Sequence, residues 1–96
     1  MTRIELAPEL ADDIERIVLH LTENAVPDPQ SRIQAIISAI DILQHAPLIG
    51  RTTFGSNREL IIGKGSHGYV ALYRYLEQID TVFVLAIRAQ REAGYR

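Results

Sequence analysis

Two stretches decide the fold: Tyr69-Val70-Ala71-Leu72-Tyr73-Arg74-Tyr75-Leu76 and Thr81-Val82-Phe83-Val84-Leu85-Ala86-Ile87-Arg88. Both are crowded with β-branched and aromatic residues, and only residues 77–80 separate them, so they read as an antiparallel hairpin. The second stretch is apolar in both registers. Phe83, Leu85 and Ile87 point one way, and Val82, Val84 and Ala86 the other, so both faces of this strand require cover.

Working outward, residues 59–62 form a third short apolar run and residues 2–6 alternate polar and apolar side chains, the pattern of one more short strand. Between residues 63 and 68 stand three glycines, with a lysine and a serine. The composition is that of a phosphate-cradling loop, but the Gly-x-x-x-x-Gly-Lys spacing is missing, so a hairpin turn is the reading.

The first half is helical. Leu10, Ile14, Ile17, Val18 and Leu21 trace one apolar stripe, predicting a helix over residues 8–23. Pro8 suits its first turn, and Glu9, Asp12 and Asp13 lie near the positive end of its dipole. Asp28 followed by Pro29 reads as an N-cap and first helical residue, opening a second helix with its stripe at Ile33, Ile36, Ile37, Ile40 and Leu43, expected to run to about His45. Pro47, Gly50 and Gly55 mark the long loop that follows. The expected fold is therefore α+β, a single domain over residues 1–96: an N-terminal helical hairpin packed on one face of a twisted antiparallel sheet of three to four strands.

Hydrophobic residues are 47% of the chain and charged residues 23%, the balance of a folded domain rather than a disordered one. With no cysteine, disulfides, thiolate metal sites and thiol catalysis are excluded, and a reducing compartment, the cytoplasm, is expected. No apolar run is long enough to span a membrane, so no membrane association is expected. His20, His45 and His67 are dispersed, and neither a metal site nor a cofactor is expected. No serine stands in a Gly-x-Ser-x-Gly context, which argues against a serine hydrolase. Charge is uneven: residues 1–50 hold three basic against eight acidic side chains, and residues 51–96 seven basic against four acidic. An anionic partner is expected on the second half, although a purely solubilising charge pattern accounts for the same numbers.

Two helices cover one side of a small sheet. The other side, expected to carry Val70, Leu72, Val82 and Val84 with Arg74 and Arg88 beside them, is left for a partner. At about 25 cal/mol per Å2 of apolar surface, covering it contributes several kcal/mol to association before ordering costs. Sheet twist, the first strand or a second copy of the chain are the other ways of hiding that face. Tyr69, Tyr73 and Tyr75 share the helix-facing side of their strand. The terminal run Arg88, Arg91, Tyr95 and Arg96 gathers three guanidiniums and a phenol, suited to nucleic acid, an acidic peptide or a protein target.

Arg-Glu-Leu-Ile-Ile-Gly at 58–63, Gly-Tyr-Val-Ala-Leu-Tyr-Arg-Tyr at 68–75, Val-Phe-Val-Leu-Ala-Ile-Arg at 82–88 and Gln-Arg-Glu-Ala-Gly-Tyr at 90–95 together resemble the C-terminal half of RelE/ParE toxins. The Pro-Leu-Ile-Gly-Arg loop at 47–51 and the order of elements extend the resemblance over nearly the whole chain. It implies the toxin half of a type II toxin–antitoxin (plasmid stabilisation) module, neutralised by a cognate antitoxin, with operator DNA met only through that antitoxin. Val70, Leu72, Arg74, Val82 and Val84 are the expected antitoxin contacts. Arg58, Arg74, Arg88, Arg91 and Tyr95 are the expected residues of target action.

The resemblance leaves two mechanisms, poisoning of DNA gyrase (ParE-like) and ribosome-dependent mRNA cleavage (RelE-like), beside a decayed, non-toxic interaction module. RelE-like toxins bring a basic surface that phosphates reward, whereas this chain has one lysine and a pI near 5.9. Position 89, often histidine in relatives, is Ala89, which removes a candidate acid or base. The ParE-like branch is therefore the expected one.

Overall fold

Strand β1 (Arg3–Leu6) leads through a short turn into helix α1 (Glu9–Glu23), and helix α2 (Pro29–Ile42) returns beside it. Strands β2 (Arg51–Thr52), β3 (Asn57–Ile62), β4 (Tyr69–Leu76) and β5 (Thr81–Ala89) complete the chain. The computed structural model describes residues 1–63 and 68–90; most of the glycine-rich turn, with Lys64 and His67, lies outside them, as do Arg91 and Tyr95. None of the helices among the described residues is long and apolar enough to cross a membrane.

The sheet has five strands in the order β1-β5-β4-β3-β2 and is mixed, which corrects the expectation of three or four antiparallel strands. β1 pairs parallel to β5, Ile4 opposite Val82 and Leu6 opposite Val84. Such a pairing needs a long crossover, and the helices and the other strands supply it. The alternation of residues 2–6 showed a strand but carried no information about its partner. β2 was missed because two residues inside a glycine- and proline-marked loop give no periodicity.

The helix ends follow their local chemistry. Asp28, in the left-handed region at φ 53°, caps α2 by accepting a hydrogen bond from the Ser31 N–H at 3.3 Å, with Pro29 at the first helical position. α1 ends in a Schellman arrangement: the Val26 N–H donates to the Leu21 carbonyl and the Ala25 N–H to that of Thr22. Ala25 takes the left-handed conformation, φ 49°, that glycine usually supplies there.

Both helices pack on one side of the sheet. Leu10, Ile17, Leu21, Ile36 and Leu43 meet Ile62, Tyr69, Ala71, Tyr73, Val82, Val84 and Ile87 in a single core. At the sheet's far end, the Asp80 carboxylate accepts hydrogen bonds from Tyr75 at 2.7 Å and Thr2 at 2.8 Å, fastening the start of β1 to the β4–β5 hairpin. These two hydrogen bonds hold the Asp80 carboxyl below its ordinary range.

A bulge in β5 fixes which side chains reach the core. Tyr73 lies opposite Val84, but Leu72 lies opposite Ala86, so Leu85 is an extra residue and the alternation slips by one. Before the bulge Val82 and Val84 face the helices; after it Ile87 does. Beyond the end of β1 the outer edge of β5 needs new partners, and α1 provides them. Asp13, buried on the helix stripe, accepts from the Ile87 N–H at 3.0 Å and from Arg16 at 3.1 Å, while Arg16 donates to the Ile87 carbonyl at 3.4 Å. An acid–arginine pair thus stands in for the missing strand. Asp13→Ala strands the buried Ile87 N–H and should cost about 1–3 kcal/mol of stability, read by chemical denaturation. Stability unchanged within about 0.5 kcal/mol contradicts the assigned role.

Candidate functional site

The face of the sheet away from the helices is built from the register. Ile61, Val70, Leu72, Phe83, Leu85, Ala86, Arg74 and Arg88 occupy it, with Val70 opposite Arg88, Leu72 opposite Ala86 and Arg74 opposite Phe83. Leu72, Phe83, Leu85 and Ala86 are half-buried, while Arg74 and Arg88 are exposed. Towards the edges the face turns polar: Arg3 pairs with Glu5 at 2.6 Å and Arg51 with Glu59 at 3.1 Å. Arg74 donates through Nε to the Asn57 side-chain oxygen at 3.0 Å, which orients its guanidinium.

Val82 and Val84, expected on this open face, are 0% exposed and belong to the core beneath the helices. Strict alternation predicts the wrong side because it cannot see the bulge, whose extra residue reverses parity between Val84 and Ala86. Leu72, Arg74 and Arg88 stand on the open face as expected, Val70 shares that face but is only 4% exposed rather than open to water, and Phe83 and Leu85 take the places assigned to the valines.

Arg58 stands apart. It projects from the helix side of β3, opposite Tyr73, and donates to the carbonyls of Leu48 at 3.2 Å and Gly50 at 2.7 Å. The structure therefore brings Arg74 and Arg88 to one face and gives Arg58 to the other, where it fixes the loop after α2. Arg91 and Tyr95 lie outside the described residues.

That loop has a second clamp. The buried Tyr73 hydroxyl donates to the Pro47 carbonyl at 2.8 Å and accepts from the Gly50 N–H at 2.9 Å. A Cβ on Gly50 would stand 2.6 Å from that hydroxyl and 2.8 Å from the Glu59 carbonyl, so only glycine lets the loop approach. Burial pushes the Tyr73 hydroxyl up from its ordinary range, against the opposing pull of the Gly50 hydrogen bond and the Arg58 charge. Sequence reading identified Tyr73 as a core residue, but not what its hydroxyl holds.

A second apolar feature lies on the helical hairpin. Val18, Leu21, Thr22, Pro29, Gln30, Ile33 and Gln34 line a groove of about 470 Å3 between α1 and α2. Val18, expected on the buried stripe, is exposed at its rim. The stripe is wider than the sheet beneath it, while Asp13, read from sequence as a dipole partner, occupies the buried flank instead.

No three His, Asp or Glu side chains among the described residues converge as a metal site. The described residues thus form a small helical hairpin on one side of a mixed sheet whose other side is a half-buried apolar face edged by arginines. Comparison with known proteins gives this arrangement its family. Residues 4–94 match the family described as ParE toxin of type II toxin–antitoxin system, parDE. The chain is also 33% identical over 93 residues to Toxin RelE3 of Caulobacter vibrioides, covering 96% of this chain and 98% of that relative. It belongs to the RelE/ParE superfamily of type II toxins, whose members are paired with a cognate antitoxin.

The Tyr73 clamp has a measurable signature. Because its folded-state pKa is raised, the unfolded chain ionises first, so its contribution to stability is whole below pH 10 and is lost as pH rises beyond that. Tyr73→Phe should lower stability at pH 7 by about 1–3 kcal/mol and flatten the alkaline loss in a series of denaturant melts from pH 7 to 11. An unchanged alkaline limb in the variant contradicts the assignment.

Proposed function

We propose that this toxin acts in the cytoplasm by inhibiting DNA gyrase, and that its antitoxin neutralises it by covering the open sheet face. The observation that carries the reading is the composition of that face. Cutting RNA through its own 2′-hydroxyl requires a base, an acid and cations around the phosphate. Among the described residues the open face offers arginines and aliphatic surface but no histidine or tyrosine: Tyr69, Tyr73 and Tyr75 all lie on the helix side. Its carboxylates, Glu5 and Glu59, are paired with arginines. Such a surface suits protein recognition better than proton transfer.

Arg74 and Arg88 carry target action on this reading, with Arg91 and Tyr95 as candidate contributors beyond the described residues; Arg58 becomes a positioning residue for the loop. The antitoxin surface comprises Leu72 and Arg74 with Val70, itself almost wholly buried in the free chain, joined by Phe83 and Leu85, and the groove along the helical hairpin offers a second place for an antitoxin segment. The competing reading, a RelE-like mRNA endonuclease acting on the ribosome, draws on the name of the Caulobacter relative and on the two exposed arginines.

Induction of the chain without its antitoxin separates the two. Gyrase inhibition should produce DNA breaks and an SOS response within the first generation, with translation continuing, and the purified toxin should trap cleaved DNA on gyrase. Intact DNA together with mRNA cuts at ribosome-positioned codons overturns the proposal in favour of the nuclease.

A further inference from the structure

Between Asp41 and Glu59 the chain carries no carboxylate, while it holds His45, Arg51 and Arg58. The same segment sets three large apolar side chains in water: Leu48 is 56% exposed, Ile49 57% and Phe54, at the tip of the β2–β3 hairpin, 89%. A single exposed apolar residue is ordinary. What distinguishes these is the backbone under them.

That backbone is fastened along its length. Tyr73 holds Pro47 and Gly50, and Arg58 holds Leu48 and Gly50. β2 is paired to β3, and the hairpin turn is closed by Thr53 N–H to the Asn57 carbonyl and Asn57 N–H to the Phe54 carbonyl, with Gly55 at φ 62°. A buried tyrosine hydroxyl and a guanidinium are thus committed to a segment whose largest side chains are more than half exposed. Fixing the chain beforehand removes ordering cost from a later association, and an aromatic side chain at the tip of a rigid turn is the form an interface anchor takes.

The chemistry of the neighbourhood favours a protein over a nucleic acid as the occupant. The nearby guanidiniums are already engaged, Arg51 with Glu59, Arg58 with carbonyls and Arg74 with Asn57, so the segment offers apolar insertion rather than phosphate neutralisation. The segment brings no carboxylate of its own, and Arg58 at its base is held by carbonyls rather than by an acid, so the site fits an apolar pocket rimmed by carboxylates.

We propose that residues 47–54 are a docking element for the toxin's protein target, with Phe54 as the anchor that enters an apolar pocket on it. This element lies at the β2 edge, where Arg51 reaches the margin of the open face, whereas the apolar centre of that face is on β4 and β5. The inference rests on the reading that the target is a protein, and its test uses growth arrest, which assumes no particular target.

Phe54→Ser and Phe54→Leu are expressed without antitoxin, and the purified variants are melted and titrated with antitoxin. Both should fold with melting temperatures near that of the parent and bind antitoxin with unchanged affinity. Phe54→Ser should need about tenfold or more toxin to arrest growth, while Phe54→Leu, which keeps apolar volume, should retain most of the effect. Full toxicity of Phe54→Ser overturns the proposal, and so does a parallel loss of antitoxin affinity, which would place Phe54 under the antitoxin. A Phe54→Leu as inactive as Phe54→Ser, beside an active Phe54→Trp, indicates base stacking and overturns it as well. Should gyrase itself be the wrong target, the missing DNA breaks report that independently.

Discussion

The extra residue in β5, Leu85, is the constraint on which the rest of the structure depends. Without it, one strict alternation would carry Val82, Val84, Ala86 and Arg88 along a single face. With it, Val82, Val84 and Ile87 all reach the core, and Leu85, Ala86 and Arg88 face away. The bulge occurs where β1 ends, and Asp13 and Arg16 of α1 supply the hydrogen bonds that Ile87, two residues on, would otherwise lack. A helix side chain thereby continues what a strand began. Every described residue on the open face beyond Leu85 owes its position to this junction.

The same logic explains how much of the molecule was legible in sequence. Helices α1 and α2 were readable to within a few residues because apolar stripes, the Asp28-Pro29 cap and the two prolines act locally. The β4–β5 hairpin was readable from composition and its short link. The parallel pairing of β1 and the two-residue β2 were not, since partner choice depends on contacts far apart in the chain. Val82 and Val84 were misplaced for a related reason: a bulge leaves no mark in a run of uniformly apolar residues. Arg74 and Arg88 were placed on the correct side because one lies on the unbulged strand and the other beyond the slip, where the register again sets it opposite Val70. Arg58 was grouped with them on charge, yet its side of β3 faces the loop it holds.

Two kinds of surface result. One is the arginine-edged apolar face, half-buried at its centre and polar at its margins, as protein interfaces generally are. The other is the stapled segment around Leu48, Ile49 and Phe54, where the fold commits a buried tyrosine hydroxyl and a guanidinium to fix a backbone whose side chains lie in solvent. A type II toxin is paired with an antitoxin, and two surfaces built from different anchors allow each to be adjusted without the other.

Because the chain contains no cysteine, thiol labelling reads the facing of β5 directly. Single Val84→Cys and Ala86→Cys variants, labelled under native conditions with and without antitoxin, give the most direct measurement. The bulged register predicts that position 84 stays unreactive in the folded chain, while position 86 reacts readily and becomes protected when antitoxin binds. Rapid labelling at 84 with protection at 86 in the free chain would contradict the account.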